Sequence, residues 1–184
     1  EEKSPVVVDV VGLSSGVLAV SANFHVTCAV TALGAVECWG DNEQGQLGTD
    51  QVTSSRSPVL VEGISATPVD LASGNRHSCV VVAGGALECW GQNGDGQLGT
   101  GDTDNRYEAT GVVMADPVVA VSPGVWHTCA VTDTGAPWCW GQNEDGQLGD
   151  GTTEGRLLPV AVTGGLSGVT DMAAGIQHTC AVDG

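Results

Sequence analysis

The run TCAVTDTGAPWCWGQNEDGQLGDG, from Thr128 to Gly151, decides the fold. It recurs as TCAVTALGAVECWGDNEQGQLGTD from Thr27 and as SCVVVAGGALECWGQNGDGQLGTG from Ser78. A fourth copy opens at His178 and reads HTCAV. The leading cysteines, Cys28, Cys79, Cys129 and Cys180, stand 51, 50 and 51 residues apart. Two more apolar stretches precede each copy, as in PVAVTGGLSGVTDMAAG from Pro159. Short apolar runs between Gly-rich separators read as strands, four to a unit. A period near 50 residues with four strands is one blade of a β-propeller. The expectation is an all-β chain of four-stranded antiparallel blades. Its units run approximately over 1–51, 52–102, 103–152 and an incomplete 153–184.

Composition narrows the function classes. Of 184 residues, 22 are acidic and 5 are Lys or Arg, a formal net charge of −17. Such a surface repels phosphate, so nucleic acid and anionic membranes are poor partners. No apolar run approaches the roughly 18 residues of a membrane-spanning helix, so membrane insertion is not expected. The apolar fraction of 41% suffices for a folded core, and the acids are scattered, which argues against a disordered acidic tail.

The string Trp-Gly-x-Asn-x-x-Gly-Gln-Leu-Gly, present at Trp39, Trp90 and Trp140, resembles the regulator-of-chromosome-condensation repeat in its cysteine-bearing bacterial form. The resemblance covers almost the whole chain. It implies a seven-bladed propeller, of which about three and three-quarter blades are expected here. Fifteen strands are read, where seven blades need about 28. The remaining blades are therefore expected from a longer chain or another copy.

Each complete unit holds two cysteines ten residues apart: Cys28 and Cys38, Cys79 and Cys89, Cys129 and Cys139. A three-residue loop Ala32-Leu33-Gly34, with Gly34 left-handed, sets Cys28 opposite Cys38 on a non-hydrogen-bonded pair. The Cα separation there, about 4.5 Å, falls within disulfide geometry. Buried free thiols and a zinc half-site of His77, Cys79 and Cys89 are the alternatives. No CxxC occurs, and Val26 stands in unit 1 where the other units have His. Three bridges imply an oxidising compartment, extracellular, cell-surface or periplasmic. Cys180 has no partner at the same spacing.

Trp39, Trp90 and Trp140 are read as packing between blades, with Val30, Val81 and Val131 on the cysteine face. His77, His127 and His178 are read as making a repeated turn hydrogen bond. Asn42, Asn93 and Asn143 suit side-chain-to-backbone turns. Arg56, Arg106 and Arg156 are read as clamps within each loop. The string from Asn93 to Gly96, with Asp102, faintly resembles a calcium loop but lacks its first and last acidic ligands. No metal or cofactor site is assigned.

Positions that differ between copies are free to serve a partner. The clearest are the dipeptides before the recurring His: Phe24-His25, Asn75-Arg76, Val125-Trp126 and Ile176-Gln177. Strand counting places them at one end with the GQLG loops. Trp138 is a further singular residue, where Glu37 and Glu88 stand in the other copies. Trp and Arg are frequent interface anchors, although loop residues also vary without function. No GxSxG, HExxH or P-loop occurs, and no catalytic pair can be named. The leading reading is a non-catalytic protein-binding or scaffolding propeller, secreted or on the cell surface, that uses its loop end. The alternatives are nucleotide exchange on a small GTPase, which the resemblance implies, and inhibition of a secreted enzyme. Aromatic scarcity disfavours a lectin.

Overall fold

The computed structural model describes residues 9–13 and 16–184. Every regular element among them is a strand. The first sheet holds β1 (Val17–Asn23), β2 (Val26–Thr31), β3 (Val36–Asp41) and β4 (Ser54–Leu60) in that order. The second holds β5 (Pro68–Ser73), β6 (His77–Val82), β7 (Leu87–Gly91) and β8 (Arg106–Val112). The third holds β9 (Val118–Pro123), β10 (His127–Thr132), β11 (Pro137–Gly141) and β12 (Arg156–Ala161). A two-stranded sheet pairs β13 (Val169–Ala174) with β14 (Thr179–Asp183). All pairings are antiparallel between neighbours in sequence, the up-and-down order of propeller blades.

The tight hairpins form as their loops dictate. Gly34, Gly85 and Gly135 take φ of 79°, 81° and 74°, in the left-handed region. The Thr31 amide donates to the Ala35 carbonyl and closes the first loop at 2.9 Å. The register that follows sets Cys28 opposite Cys38, Cys79 opposite Cys89 and Cys129 opposite Cys139. All three pairs are disulfides, each with Cα atoms 4.1 Å apart. The bonds consume the thiolates that a zinc half-site would need, and they exclude buried free thiols at these six positions. Cys180 is free and exposed.

The sheets are offset by one strand from the sequence units. The first strand of each unit crosses back to complete the preceding sheet: Cys38 faces Val59, Cys89 faces Thr110 and Cys139 faces Val160. The strand at Arg156–Ala161 thus closes the third blade. The fourth sheet accordingly has two strands among the described residues rather than the three expected. Fourteen strands are described, and the first of the fifteen expected falls largely on residues 1–8, outside the described residues.

The core lies between blades. Val80 and Val82 of β6 join Val30, Val36, Leu47 and Trp90 in one cluster. Cys79 and Val81, which face the other way, join Val118, Val121 and Trp140 in the next. Side chains alternate across a strand, so a strand held between two blades is apolar on both faces. This is why β6 and β10 are buried at every position.

Candidate partner-binding end

Each variable dipeptide caps the turn from the inner strand of a blade to its second strand. The turn is built from the backbone. The Gly74 amide donates to the His77 carbonyl, Gly124 to His127 and Gly175 to His178, at 2.8, 2.8 and 2.9 Å. The second residue of each tip is held from the other side. The carbonyls of His25, Arg76 and Trp126 accept amides of Asp41, Gln92 and Gln142 at 2.8–2.9 Å. A glycine at the end of the third strand makes room for that carbonyl. A Cβ on Gly40, Gly91 or Gly141 would lie 2.2, 2.4 or 2.6 Å from it. The second and third tips therefore share the same backbone bonds while their side chains differ.

Neighbouring tips are tied into one row. Asn23 Nδ2 donates to the Ser73 carbonyl at 3.1 Å. The amides of Asn75 and Val125 donate to the carbonyls of Gly124 and Gly175 at 3.2 and 3.1 Å. Along this row Phe24 is 72% and Ile176 is 52% exposed. His25 and Gln177 are exposed, and Asn75, Arg76, Val125 and Trp126 are half-buried. The structure thus brings all eight predicted residues to one end of the array. Trp138 is elsewhere: it faces Ala130 across the sheet and packs on the second core cluster.

The GQLG loops share this end and are braced from within. The Oδ1 atoms of Asn42, Asn93 and Asn143 accept the amides of Leu47, Leu98 and Leu148 at 2.8, 2.9 and 3.0 Å. Their Nδ2 groups donate further along the loop, Asn93 to the Asp102 carbonyl and Asn143 to the Glu154 carbonyl. The three leucines are fully buried. Asn93 and Asp102, the residues of the calcium-like string, are engaged in this bracing, and Asp102 also pairs with Arg106. Hydrogen bonds from the Asp104 amide, Arg106 and Thr100, the Asp104 amide foremost, hold the Asp102 carboxyl below its ordinary range. Arg156 clamps Asp150 in the same way. Arg56 is exposed and forms no ion pair among the described residues, so the expected clamp recurs in two loops of three.

Acidic residues crowd the loop rims. Burial, with repulsion from Glu144 second, raises the Asp95 carboxyl above its usual value. Gln177 Nε2 donates to Asp145 at 2.7 Å, which joins the fourth tip to the third loop. Asp95 and Asp145 occupy the same loop position, where the first loop has Gln44.

The histidine backbones take the repeated turn bonds given above, and behind the tips their rings add a hydrogen-bond relay between blades. His77 Nε2 lies 2.8 Å from Thr128 Oγ1, and that hydroxyl donates to the Gln97 carbonyl at 2.7 Å. The hydroxyl has one proton, so His77 Nε2–H is the donor to it. His127, Thr179 and the Gln147 carbonyl repeat the relay one blade on, at 2.9 and 2.8 Å. Trp90 and Trp140 donate their indole N–H to the carbonyls of Gln46 and Gln97 at 3.0 and 2.9 Å. Each relay therefore spans two blades. Burial foremost, with repulsion from the next histidine in the row, lowers His77 from 6.5 to about 3 and His127 to about 4. Both rings are neutral near pH 7 and serve as blade-to-blade ties.

Stacked four-stranded antiparallel sheets, with cores between them and loops gathered at either end, define the β-propeller class. The chain belongs to the regulator of chromosome condensation (RCC1) repeat family, whose repeat profile matches residues 34–81, 85–131 and 134–182. It is 36% identical over 94 residues to the human probable E3 ubiquitin-protein ligase HERC4, across 50% of this chain and 9% of that protein. It is similar in fold to human WBSCR16, with a TM-score of 0.80 and 24% identity, over 91% of this chain and 44% of the other. It is likewise similar to yeast RCC1 (Prp20) solved with Kap60, with a TM-score of 0.81 and 21% identity, over 95% and 43%. The chain thus spans less than half the length of each of these proteins.

Proposed function

We propose that this chain is a non-catalytic protein-binding or scaffolding propeller that works in an oxidising compartment, secreted or at the cell surface, and meets its partner with the tip end. One observation carries this reading. Four turns stand in a row, tied to one another by hydrogen bonds, and present four different pairs of side chains. A repeated scaffold that varies its tips suits recognition of an irregular protein surface. Trp126 and Arg76, at the middle of the row, are of the types that most often anchor interfaces. The three disulfides support the compartment, since such bonds persist where glutathione does not reduce them.

The test compares the two ends of the array. Proteins from an extracellular fraction are captured on the immobilised chain, and the strongest is purified for titration. Trp126→Ala and Arg76→Ala should each weaken that complex about tenfold or more, on the scale of a hot-spot residue. Leu33→Ser and Asp133→Ala, at the hairpin end, should leave it unchanged. The reverse pattern would refute the assignment of the tip end.

Regulation of a small GTPase by nucleotide exchange is the second reading. It is favoured by the fold shared with Prp20, a protein described by its binding to Gsp1p and histones. That reading requires a reducing compartment, where the three cystines would be thiols.

A further inference from the structure

The seam between the first and second blades is built differently from the seams that follow it. Between the second and third blades, and again between the third blade and the fourth sheet, three ties recur. At the tip end the amides of Asn75 and Val125 donate to Gly124 O and Gly175 O. Behind the tips the rings of His77 and His127 donate to the hydroxyls of Thr128 and Thr179. At the hairpin end the amides of Val118 and Val169 donate to Gly85 O and Gly135 O, at 2.9 and 3.1 Å.

Three substitutions remove all three ties from the first seam. Asn23 stands where the later blades have Gly74 and Gly124. The Phe24 amide accordingly donates to Asn23 Oδ1, at 3.0 Å, and not across the seam. Val26 stands where they have His77 and His127, so Ser78 receives no imidazole, and its hydroxyl turns to Ser73 Oγ at 3.2 Å. These two changes go together. A Cβ on Gly74 or Gly124 would lie 2.8 or 3.1 Å from Cε1 of His77 or His127. Asn23 thus takes the room that an imidazole at position 26 would need. Pro68 stands where the later blades have Val118 and Val169, and proline has no N–H to donate to Gly34 O. The inner side of the first seam keeps two side-chain bonds, both on Ser73. Asn23 Nδ2 donates to its carbonyl at 3.1 Å, and its amide donates to Ser21 Oγ at 2.9 Å. The outer side keeps Trp90 on Gln46 O at 3.0 Å and Asn105 Nδ2 on Gln44 Oε1 at 2.8 Å.

These two seams each hold one cystine. Cys28 and Cys38 lie in the cluster between the first and second blades, with Val80 and Trp90. Cys79 and Cys89 lie in the next, with Val118 and Trp140. All four are fully buried. A reagent dissolved in water reaches each cystine only when its seam opens, so each cystine gauges its own seam.

We propose that the first seam is a joint at which the array opens ahead of the second, so that the first blade swings with its Phe24–His25 tip and bares Cys28–Cys38 to dissolved thiols. The first tip thereby takes more than one position relative to Arg76 and Trp126. The joint does not depend on the tip end being a binding surface.

The test is reduction of the folded 184-residue chain by dithiothreitol, stopped at early times by alkylation and read peptide by peptide by mass spectrometry. Each cystine that is reduced consumes one dithiothreitol, which closes to its cyclic disulfide, and yields two thiols for the alkylating agent. Cys28–Cys38 should be reduced about tenfold or more faster than Cys79–Cys89, the scale of a few hydrogen bonds in a local opening. Pro68→Val should slow reduction of Cys28–Cys38 about threefold, the scale of one hydrogen bond. Asn23→Gly with Val26→His should slow it about tenfold, by restoring two ties at once. An unchanged rate at Cys79–Cys89 in both variants shows that the fold is kept. His77→Gln should instead speed reduction of Cys79–Cys89. Equal rates for the two cystines in the parent would overturn the proposal, as would a Cys28–Cys38 rate that neither repair changes.

Discussion

The second strand of the second blade and its counterpart in the fourth sheet share the pattern His-x-Cys-x-Val and end in opposite states. His77 and Cys79 are fully buried, and Cys79 is bonded. His178 and Cys180 are exposed, and Cys180 is free. The same contrast separates Trp90 from Trp39. Both follow the second cysteine of a unit. Trp90 lies fully buried against the loop of the blade before it. Trp39 is half-buried beside Phe24 and His25, because no blade precedes the first among the described residues. A blade thus does not own its core. What a repeated side chain contributes depends on the neighbour that covers it, as in repeat proteins whose stability lies in nearest-neighbour interfaces.

That contrast can be broken by substitution. Trp90→Ala should cost roughly 3–5 kcal/mol, the range for truncating a buried aromatic. Trp39→Ala should cost less than about half of that, since much of its surface is already solvated. Denaturant titration of both variants checks this, and equal losses would deny that the neighbouring blade makes the difference.

Acid gives the next effect. His77 and His127 are neutral in the fold, with pKa values of about 3 and about 4 against 6.5 ordinarily. The unfolded chain binds protons that the folded chain refuses. Stability from these rings is therefore fully present above pH 6.5 and is lost as pH falls toward 4 and 3. The slope for each ring is at most about 1.4 kcal/mol per pH unit. A His77→Gln variant should lose stability less steeply than the parent between pH 6.5 and 4. An unchanged slope would mean that His77 is protonated in the fold.

Removing one cystine by Cys79→Ala with Cys89→Ala should cost roughly 2–3 kcal/mol, the worth of closing a short loop. Cys180→Ser should change stability by no more than about 0.5 kcal/mol, as expected of an exposed residue. Trp126→Ala should also cost little, less than about 1 kcal/mol, since its tip is held by backbone bonds. A loss as large as that of Trp90→Ala would make Trp126 a scaffold residue rather than a contact.

Some of this was legible in the sequence, and the reason differs by feature. The hairpin register and the three cystines follow from a three-residue loop and a count of residues along two strands. The gathering of Phe24, Arg76, Trp126 and Gln177 at one end follows from the parity of strand crossings. Blade boundaries did not follow, because a periodic sequence has no phase. Nothing in Arg156–Ala161 itself says whether it closes one sheet or opens the next. The histidine relays were hidden for a related reason. His77 and Thr128 are 51 residues apart, and only the stacking of blades brings them together. The half-exposure of Trp39 was hidden too, since its motif is the same as that of Trp90.

The oxidised hairpin is the feature on which the compartment and the functional reading both rest. The direct measurement is alkylation of the unreduced, denatured protein, followed by mass spectrometry of its peptides. The account predicts a single label, on Cys180, with Cys28–Cys38, Cys79–Cys89 and Cys129–Cys139 recovered as linked pairs. Labels on all seven cysteines would contradict it and would return the chain to a reducing compartment.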